Sequence, residues 1–314
     1  MLIRHFEYLV ALARERHFSR AAAACNVTQP ALSAGLKNLE TYFGVPIVER
    51  GHRFRGFTLE GERILAWVRQ VLAERDALSQ ELGAMRQGLT GHLRVGGIPV
   101  ALPIIALLTT PFSAQHPRVR VTVSSLTSRE IQRGLDECAL DVGLTYLDNE
   151  PLQHVRTVPL YSERYVLLTP TDGPFVGRES ATWREAADLK LCLLTSAMQN
   201  RRIVDSFFHA AGSVPDPLVE TDSMVTLISH LRQGSWSTVL PHTITHVLGG
   251  SADLLALPLV EPIATHKIGL IVPERDPVAP VASALIAVAH KSEIEAMLQH
   301  AARRIHLPTP TLSR

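Results

Sequence analysis

Residues 18–43 read FSRAAAACNVTQPALSAGLKNLETYF, and their spacing decides how the front of the chain folds. Ser19 opens a short helical stretch as its cap. The alanines at 21–24 carry so little bulk that a second helix can approach closely. Asn26 and Val27 then make a turn in which asparagine tolerates a left-handed backbone. Thr28 starts the second helix by accepting from its orphan amides, and Pro30 falls in the first turn, where proline is harmless. Two helices joined by so short a turn have helix-turn-helix spacing. With Leu32, Leu36 and Leu39 turned to the core, helical geometry puts Gln29, Ser33 and Lys37 on the opposite face, four residues apart.

That outer face suits a nucleic-acid groove. Gln29 can bond an adenine edge or a phosphate, Ser33 can do either, and Lys37 reaches a phosphate or a guanine. Ser19, Arg20, Thr28 and Pro30, at the two helix starts, are grouped with them as expected DNA-binding positions. Outward along the chain, Gly44 ends the second helix, and the stretch from Ile47 to Leu59 offers two short extended runs around Gly51 and Gly56. Arg50, Arg53 and Arg55 on that hairpin are placed to meet the DNA backbone or a narrow minor groove, as a wing does. Upstream, Phe6, Leu9, Val10 and Ala13 keep helical periodicity. Residues 1–58 hold eight Lys or Arg against four Glu, a balance of +4, whereas the rest of the chain comes to −3, so only the front end is built for a polyanion. Alanine-rich helix pairs with a polar outer face also occur in proteins that never touch DNA, and the pattern alone leaves both readings open.

Beyond the hairpin, Gly61 to Arg86 is free of proline, with apolar residues at Ile64, Val68, Val71, Leu78, Leu82 and Met85 and one interruption at Arg75. So narrow a heptad seam calls for a partner helix, here a second subunit, with packing on its own chain as the alternative. Gly88, Gly91, Gly96 and Gly97 then break the helical texture and put a domain boundary near residues 88–92. Downstream, HLRVGG, VRVTVSS, LDVGLTY, RYVLLTP, KLCLLT, STVLP and KIGLIVP read as strands. Helical lengths at 99–115, 127–138 and 199–211 separate several of them, which argues for an α/β sandwich of two units with largely parallel sheets. Ligands of such folds lie beyond the carboxyl ends of the strands.

FSRAAAACNVTQPALSAGLKNLETYFGVPIVER followed by FTLEGER resembles the winged helix-turn-helix of LysR-type transcriptional regulators almost position for position. The likeness continues through GHLRVGG, PFSAQHPRVRVTV and GLDECALDVGL. It implies a winged helix-turn-helix domain over 1–58, a linker and dimerisation helix over 59–88, and an effector-binding domain over 91–305, with a tail at 306–314. The effector domain is expected as two α/β lobes similar to periplasmic binding proteins. The partners implied are double-stranded operator or promoter DNA, a small-molecule effector, a second subunit through the linker helix and often a tetramer, with RNA polymerase as a further contact. Cys25 replaces the larger aliphatic residue usual in the family, and Gly35 lowers helix propensity by up to about 1 kcal/mol relative to alanine.

In that family the effector lies between the lobes. Mapped here, the site takes Pro99 and Val100, then Leu126, Thr127 and Ser128, then Thr145, and finally Ser196, Gln199 and Asn200. Helix starts near 99 and 127 would offer free amides to a small anion or carboxylate, with the hydroxyls of Thr127 and Ser128 alongside; helix capping is the competing role for each of these groups. Val100 stands where many relatives carry a hydroxyl.

Catalytic signals are thin. His242 and His246, in HTITH, have a chelating helical spacing but no third ligand, and neither a nucleophile elbow nor a phosphate loop is present. No cofactor or metal is expected. The three cysteines, Cys25, Cys138 and Cys192, form no C-x-x-C pair and read as buried reduced thiols. Residues 1–18 alternate charged and apolar side chains, unlike a signal peptide, so the expectation is a cytoplasmic, non-membrane protein. The rival to a ligand-responsive regulator is a solute-binding protein or enzyme carrying an accessory helical domain.

Overall fold

The structure, a computed structural model, describes residues 2–49, 54–248, 253–263 and 265–303. The chain divides after Gly88 into two compact units.

In the first unit, α1 (Leu2–Glu15), α2 (Phe18–Ala24) and α3 (Gln29–Phe43) pack around Leu9, Leu12, Leu32 and Leu39, all fully buried. Gly35 lies inside this contact: a Cβ built there would stand 2.6 Å from Cδ2 of Tyr8. The propensity lost at that glycine is therefore the condition for α1 and α3 to approach. Gly44 ends α3 with a φ of 72°. The hairpin that follows is minimal. One antiparallel bridge joins Val48 to Phe57, Glu49 N donates to Gly56 O at 3.1 Å, and the Glu40 carboxylate accepts from Ile47 N at 2.8 Å.

Helix α4 (Leu59–Gln87) starts at Thr58, whose side chain accepts from Gly61 N. Its apolar residues divide. Leu65 and Val68 are buried with α1 in the domain's own core, and Ile64 packs against it. Val71, Leu78, Leu82 and Met85 are exposed in the single chain. Arg75, which interrupts the seam, pairs with Glu7 of α1 and with Asp76. The first half of the seam is thus intrachain packing, and the second half is exposed.

The second unit runs β1 (Gly91–Gly97), a 3-10 turn (Leu102–Ile104), α5 (Ala106–Gln115), β2 (Val119–Ser125), α6 (Ser128–Asp136), β3 (Val142–Tyr146) and β4 (Val155–Glu163). It continues through β5 (Tyr165–Pro170), β6 (Ala181–Thr182), α7 (Trp183–Ala187), β7 (Cys192–Leu194), α8 (Gln199–Ala210), β8 (Val219–Thr221), α9 (Met224–Leu231), β9 (Thr238–Pro241), α10 (Ile244–Leu248) and β10 (Leu254–Val260). It ends with β11 (His266–Pro273), α11 (Pro280–Lys291) and α12 (Ile294–Arg303). One lobe holds a sheet of order β2-β1-β3-β11-β4; the other holds β6-β10-β5-β9, with the parallel pair β7-β8 tied to it by a bridge between Leu191 and Ser237. The chain crosses between lobes at Arg164 and again between β10 and β11.

The expectation of largely parallel sheets needs correcting. β1 pairs in parallel with β2 and β3, but β11 is antiparallel to both β3 and β4, and β5 is antiparallel to β10 and β9. The cause is the double crossing: β11 returns to the first lobe running opposite to β3 and β4, and β5, the first strand of the second lobe, runs opposite to β9 and β10 that later flank it. The helix expected from residue 99 starts later: residues 99–101 form a turn, and α5 proper begins at Ala106. The tail at 306–314 lies outside the described residues. Among the described residues, no helix is long and apolar enough to cross a membrane.

Candidate DNA-reading face and effector cleft

Helix α3 is fixed at its start by local devices. Asn26 takes the left-handed backbone, φ 53°, and Thr28 Oγ1 accepts from Ala31 N at 3.4 Å, with Pro30 in the first turn. The core-facing leucines then leave Gln29 and Lys37 exposed and Ser33 half-buried on the other side. Thr28, Pro30, Ser19 and Arg20 are exposed. Ser19 is not the cap of α2, however. His17 is, its extended backbone and Nδ1 accepting from Ser19 N at 3.2 Å, because an imidazole nitrogen supplies the acceptor the helix start needs. The Ser19 side chain is thus spared that role. Arg20 donates to the Glu15 carbonyl at 2.6 Å. Arg55 is exposed on the hairpin; Arg50 and Arg53 lie outside the described residues.

In the second unit the parallel register of β1, β2 and β3 brings the mapped effector positions to one sheet edge. Gly97 stands opposite both Ser125 and Leu144, Leu126 N donates to Gly97 O at 3.0 Å, and Ile98 N donates to Leu144 O. Pro99, Val100, Leu126, Thr127 and Ser128 follow the ends of β1 and β2, and Thr145 is the next-to-last residue of β3. Pro99 and Val100 are buried and apolar. Thr127 caps α6 in a reciprocal box: its Oγ1 accepts from Glu130 N at 3.2 Å, while the Glu130 carboxylate accepts from Thr127 N at 2.8 Å. The bonds donated to that carboxylate by Thr127 N and by Thr127 Oγ1, the latter also at 2.8 Å, hold it below its usual range.

The opposite lobe meets this edge through the start of α8. Thr145 Oγ1 donates to Gln199 Oε1 at 3.3 Å, and Gln199 Nε2 donates to Asn149 Oδ1 at 3.3 Å. Asn200 Nδ2 donates to the Tyr146 hydroxyl at 3.0 Å. At the rim, Ser128 Oγ donates to Glu150 Oε2 at 3.0 Å, and Arg202 of α8 donates to Glu150 Oε1 through Nε at 2.9 Å and through Nη2. Arg202 Nη1 is held by the carbonyls of Ser196, at 3.0 Å, and Ala197, at 2.7 Å. Arg201 turns the other way, to Asp205, Glu220 and the Leu194 carbonyl. Thr145, Gln199, Asn200, Ser128 and Ser196 are thus brought into one interlobe seam.

Behind the seam lies a group that sequence reasoning missed. Glu163, the last residue of β4, is fully buried, and one of its oxygens accepts from Tyr146. Its other oxygen, Oε2, finds no hydrogen-bond partner. The Tyr165 hydroxyl lies 3.3 Å from that of Tyr146, and Tyr165 packs against Trp183, Phe207 and His266. Burial is the main force on this carboxyl and pushes it up to about 8, so Glu163 is held neutral at physiological pH. Burial and the same carboxyl also push the Tyr146 and Tyr165 hydroxyls well above their usual value. The alternation YSERY around Glu163 was the available signal: a lone acid in an otherwise strand-like run.

His242 and His246 do not form a chelating pair. His242 precedes α10, is buried, and accepts from Arg164 N at 3.1 Å through Nδ1, while His246 is exposed. Burial, with Arg164 beside it, pulls His242 down to about 4. Among the described residues no cluster of three or more His, Cys, Asp or Glu could hold a metal. Of the cysteines only Cys192 is buried; Cys25 and Cys138 are half-buried. Burial raises the Cys25 and Cys192 thiols, and Arg275 donates to Cys138 Sγ at 2.6 Å.

Comparison with known proteins adds the following. The family described as "Bacterial regulatory helix-turn-helix protein, lysR family" matches residues 3–62, and "LysR substrate binding domain" matches residues 86–293. The DNA-binding transcriptional dual regulator OxyR of Escherichia coli K12 is 31% identical over 272 residues, which are 86% of this chain and 89% of the relative. A probable hydrogen peroxide-inducible genes activator of Streptomyces viridosporus is 32% identical over 265 residues, 83% of this chain and 84% of the relative. Among solved structures, a full-length cysteine-to-aspartate variant of Pseudomonas aeruginosa OxyR superposes with a TM-score of 0.77 at 25% identity, covering 94% of this chain and 97% of the other.

Proposed function

The chain belongs to the LysR family of bacterial transcriptional regulators, and from that premise we propose that it controls an operon by reading DNA with α3 while a small carboxylate bound between the lobes changes its state. The family identity makes it a DNA-binding transcription factor and not an enzyme. The observation that carries the reading of α3 is the face bearing Gln29, Ser33 and Lys37, set opposite three buried leucines. Gln29 and Ser33 read base edges in the major groove, Lys37 takes a phosphate or a guanine, and Arg20 and the hairpin arginines grip the backbone. Two copies pair through the exposed second half of α4, burying Val71, Leu78, Leu82 and Met85, and pairs of dimers form tetramers. Effector binding shifts the population of lobe arrangements and so the spacing of the paired reading heads.

A peroxide response, suggested by the names of the relatives, is the second reading. What argues against it is chemical: no cysteine lies among the seam residues, and the two thiols raised by burial have less of the thiolate that reacts with peroxide. The test is a mobility shift of the full-length protein on the intergenic DNA upstream of its own gene, with random-sequence competitor, titrated with a panel of small carboxylates and, separately, with hydrogen peroxide. Selective binding altered by one carboxylate and not by peroxide is expected. Absence of selective binding under every condition refutes the regulator reading, and a response to peroxide alone refutes the choice of effector.

A further inference from the structure

The geometry points to Glu150 as an internal stand-in for the effector's carboxylate, with Arg202 as the residue that recognises it. This rests on the effector reading above and adds to it the contact that selects the ligand's chemistry and the event that opens the site.

Glu150 follows β3 in one lobe, outside any helix or strand, and Arg202 sits on α8 in the other. The guanidinium presents two N–H groups to one carboxylate oxygen, and the Ser128 hydroxyl takes the second oxygen. A guanidinium fork with a hydroxyl beside it is a common chemistry for holding a small carboxylate. Here a side chain of the protein already fills it. Three features separate this arrangement from an ordinary interlobe ion pair. First, Arg202 does not depend on Glu150 for its orientation, because Nη1 is anchored by the carbonyls of Ser196 and Ala197; the cradle persists when the carboxylate leaves. Second, both partners are only half-buried, about three-tenths exposed, so Glu150 can turn out to water and a solute can reach its place. Third, the neighbouring charges are committed elsewhere. Arg201 is held by Asp205 and Glu220, Asp148 by His266 and Lys267 N, and Glu130 by the α6 cap. Glu150 is thus the acid that occupies the cradle and the one an incoming carboxylate must displace. Its departure removes an interlobe tie that the incoming molecule, bridging Arg202 and Ser128, replaces.

Occupancy by a resident competitor weakens apparent affinity by the fraction of time the cradle is empty. Full-length protein is therefore titrated calorimetrically with succinate and benzoate, and with succinamide and benzamide as uncharged controls. Glu150→Gln is expected to bind at least one of the two carboxylates about tenfold more tightly than the parent, Arg202→Gln to lose that binding, and neither amide to bind. Ser128→Ala, which leaves the ion pair in place, lowers the same affinity several-fold and serves as a second variant if Glu150→Gln folds poorly. Equal or weaker carboxylate binding by Glu150→Gln overturns the inference, as does binding that survives Arg202→Gln. Failure of every variant to bind either carboxylate, with selective DNA binding intact, overturns the inference while leaving the regulator reading standing. Loss of selective DNA binding by the parent protein is the separate failure of that reading.

Discussion

Helix α3 and the interlobe seam use polar side chains in opposite ways. On α3 the residues opposite the core point outward: Gln29 and Lys37 are exposed, and the helix is held in place by leucines and by a cap at Thr28. In the seam the polar groups point inward and satisfy one another across lobes, Thr145 with Gln199, Tyr146 with Asn200, Glu150 with Arg202. The difference follows from what each must meet. A reading head binds a polymer whose groove supplies every partner, so its donors are kept open and their scaffold rigid. A cleft that answers to a small molecule has to exist without it, and its polar groups need internal partners that can be exchanged.

The largest expected effect breaks the seam from within. Glu163 is neutral when folded, up to about 8, and ionises near the ordinary glutamate value when unfolded. Between about pH 4.5 and 8 the folded state therefore holds the proton and the unfolded state does not. The stability this contributes is full below the lower value and is lost as pH rises through the upper one. The slope approaches about 1.4 kcal/mol per pH unit at its steepest. Buried His242, pulled down to about 4, adds stability with rising pH up to about its unfolded value in both proteins, so the reading is the difference. The urea stability of the parent relative to Glu163→Gln is expected to fall steadily across this window, and a difference that does not change with pH refutes the buried neutral acid.

The scaffold under α3 gives the next effect. Gly35→Leu places carbon where the Tyr8 ring already lies and is expected to cost about 3 kcal/mol by overpacking. The loss appears as an early transition in thermal unfolding and as weakened operator binding, with carboxylate binding untouched. If both functions fall together, the two regions are not independent in the way their separate cores suggest. Sharper still are the outward residues. Gln29→Ala should cost about 1–3 kcal/mol at one operator position and relax discrimination there. If Lys37 takes a phosphate, Lys37→Ala should weaken all DNA sequences alike and reduce the salt slope by about 0.9; a sequence-dependent loss gives it the guanine instead. Both variants are expected to melt like the parent, which a thermal scan checks.

The reading head was legible in the sequence because everything that shapes it is local. The turn needs Asn26, the cap needs Thr28, and the face follows from three leucines four and three residues apart. The one local misreading, Ser19 for His17, arose because imidazole is a rarer cap than a hydroxyl. In the seam the determinants are long-range. Glu150 meets Arg202 from 52 residues away, and Tyr146 meets Asn200 from 54. The resemblance located Thr145, Gln199 and Asn200; the lone acid in the strand-like YSERY run was the one local sign of Glu163, and nothing near Glu150 or Arg202 in the chain marks them. β4 and β10, the strands that lead into the two crossings, also escaped notice, and with them the antiparallel pairings.

The smallest expected effect is none. If the seam responds by exchanging one carboxylate for another, thiol chemistry has no part in it, whatever the relatives respond to. Cys192 is buried in β7 with its thiol raised by burial, and Cys25 belongs to the other unit. Cys138 lies just past the end of α6 beside Arg275, in the lobe opposite Cys192. The variant with serine at all three positions is therefore expected to show the same operator affinity and the same carboxylate response as the parent, with and without hydrogen peroxide, in the mobility-shift titration. A small stability loss from Cys192→Ser, which buries a hydroxyl among apolar side chains, is compatible with this because it acts on folding and not on the response. A peroxide-dependent shift that disappears in the serine variant would move the sensing chemistry out of the seam and give it to the cysteines.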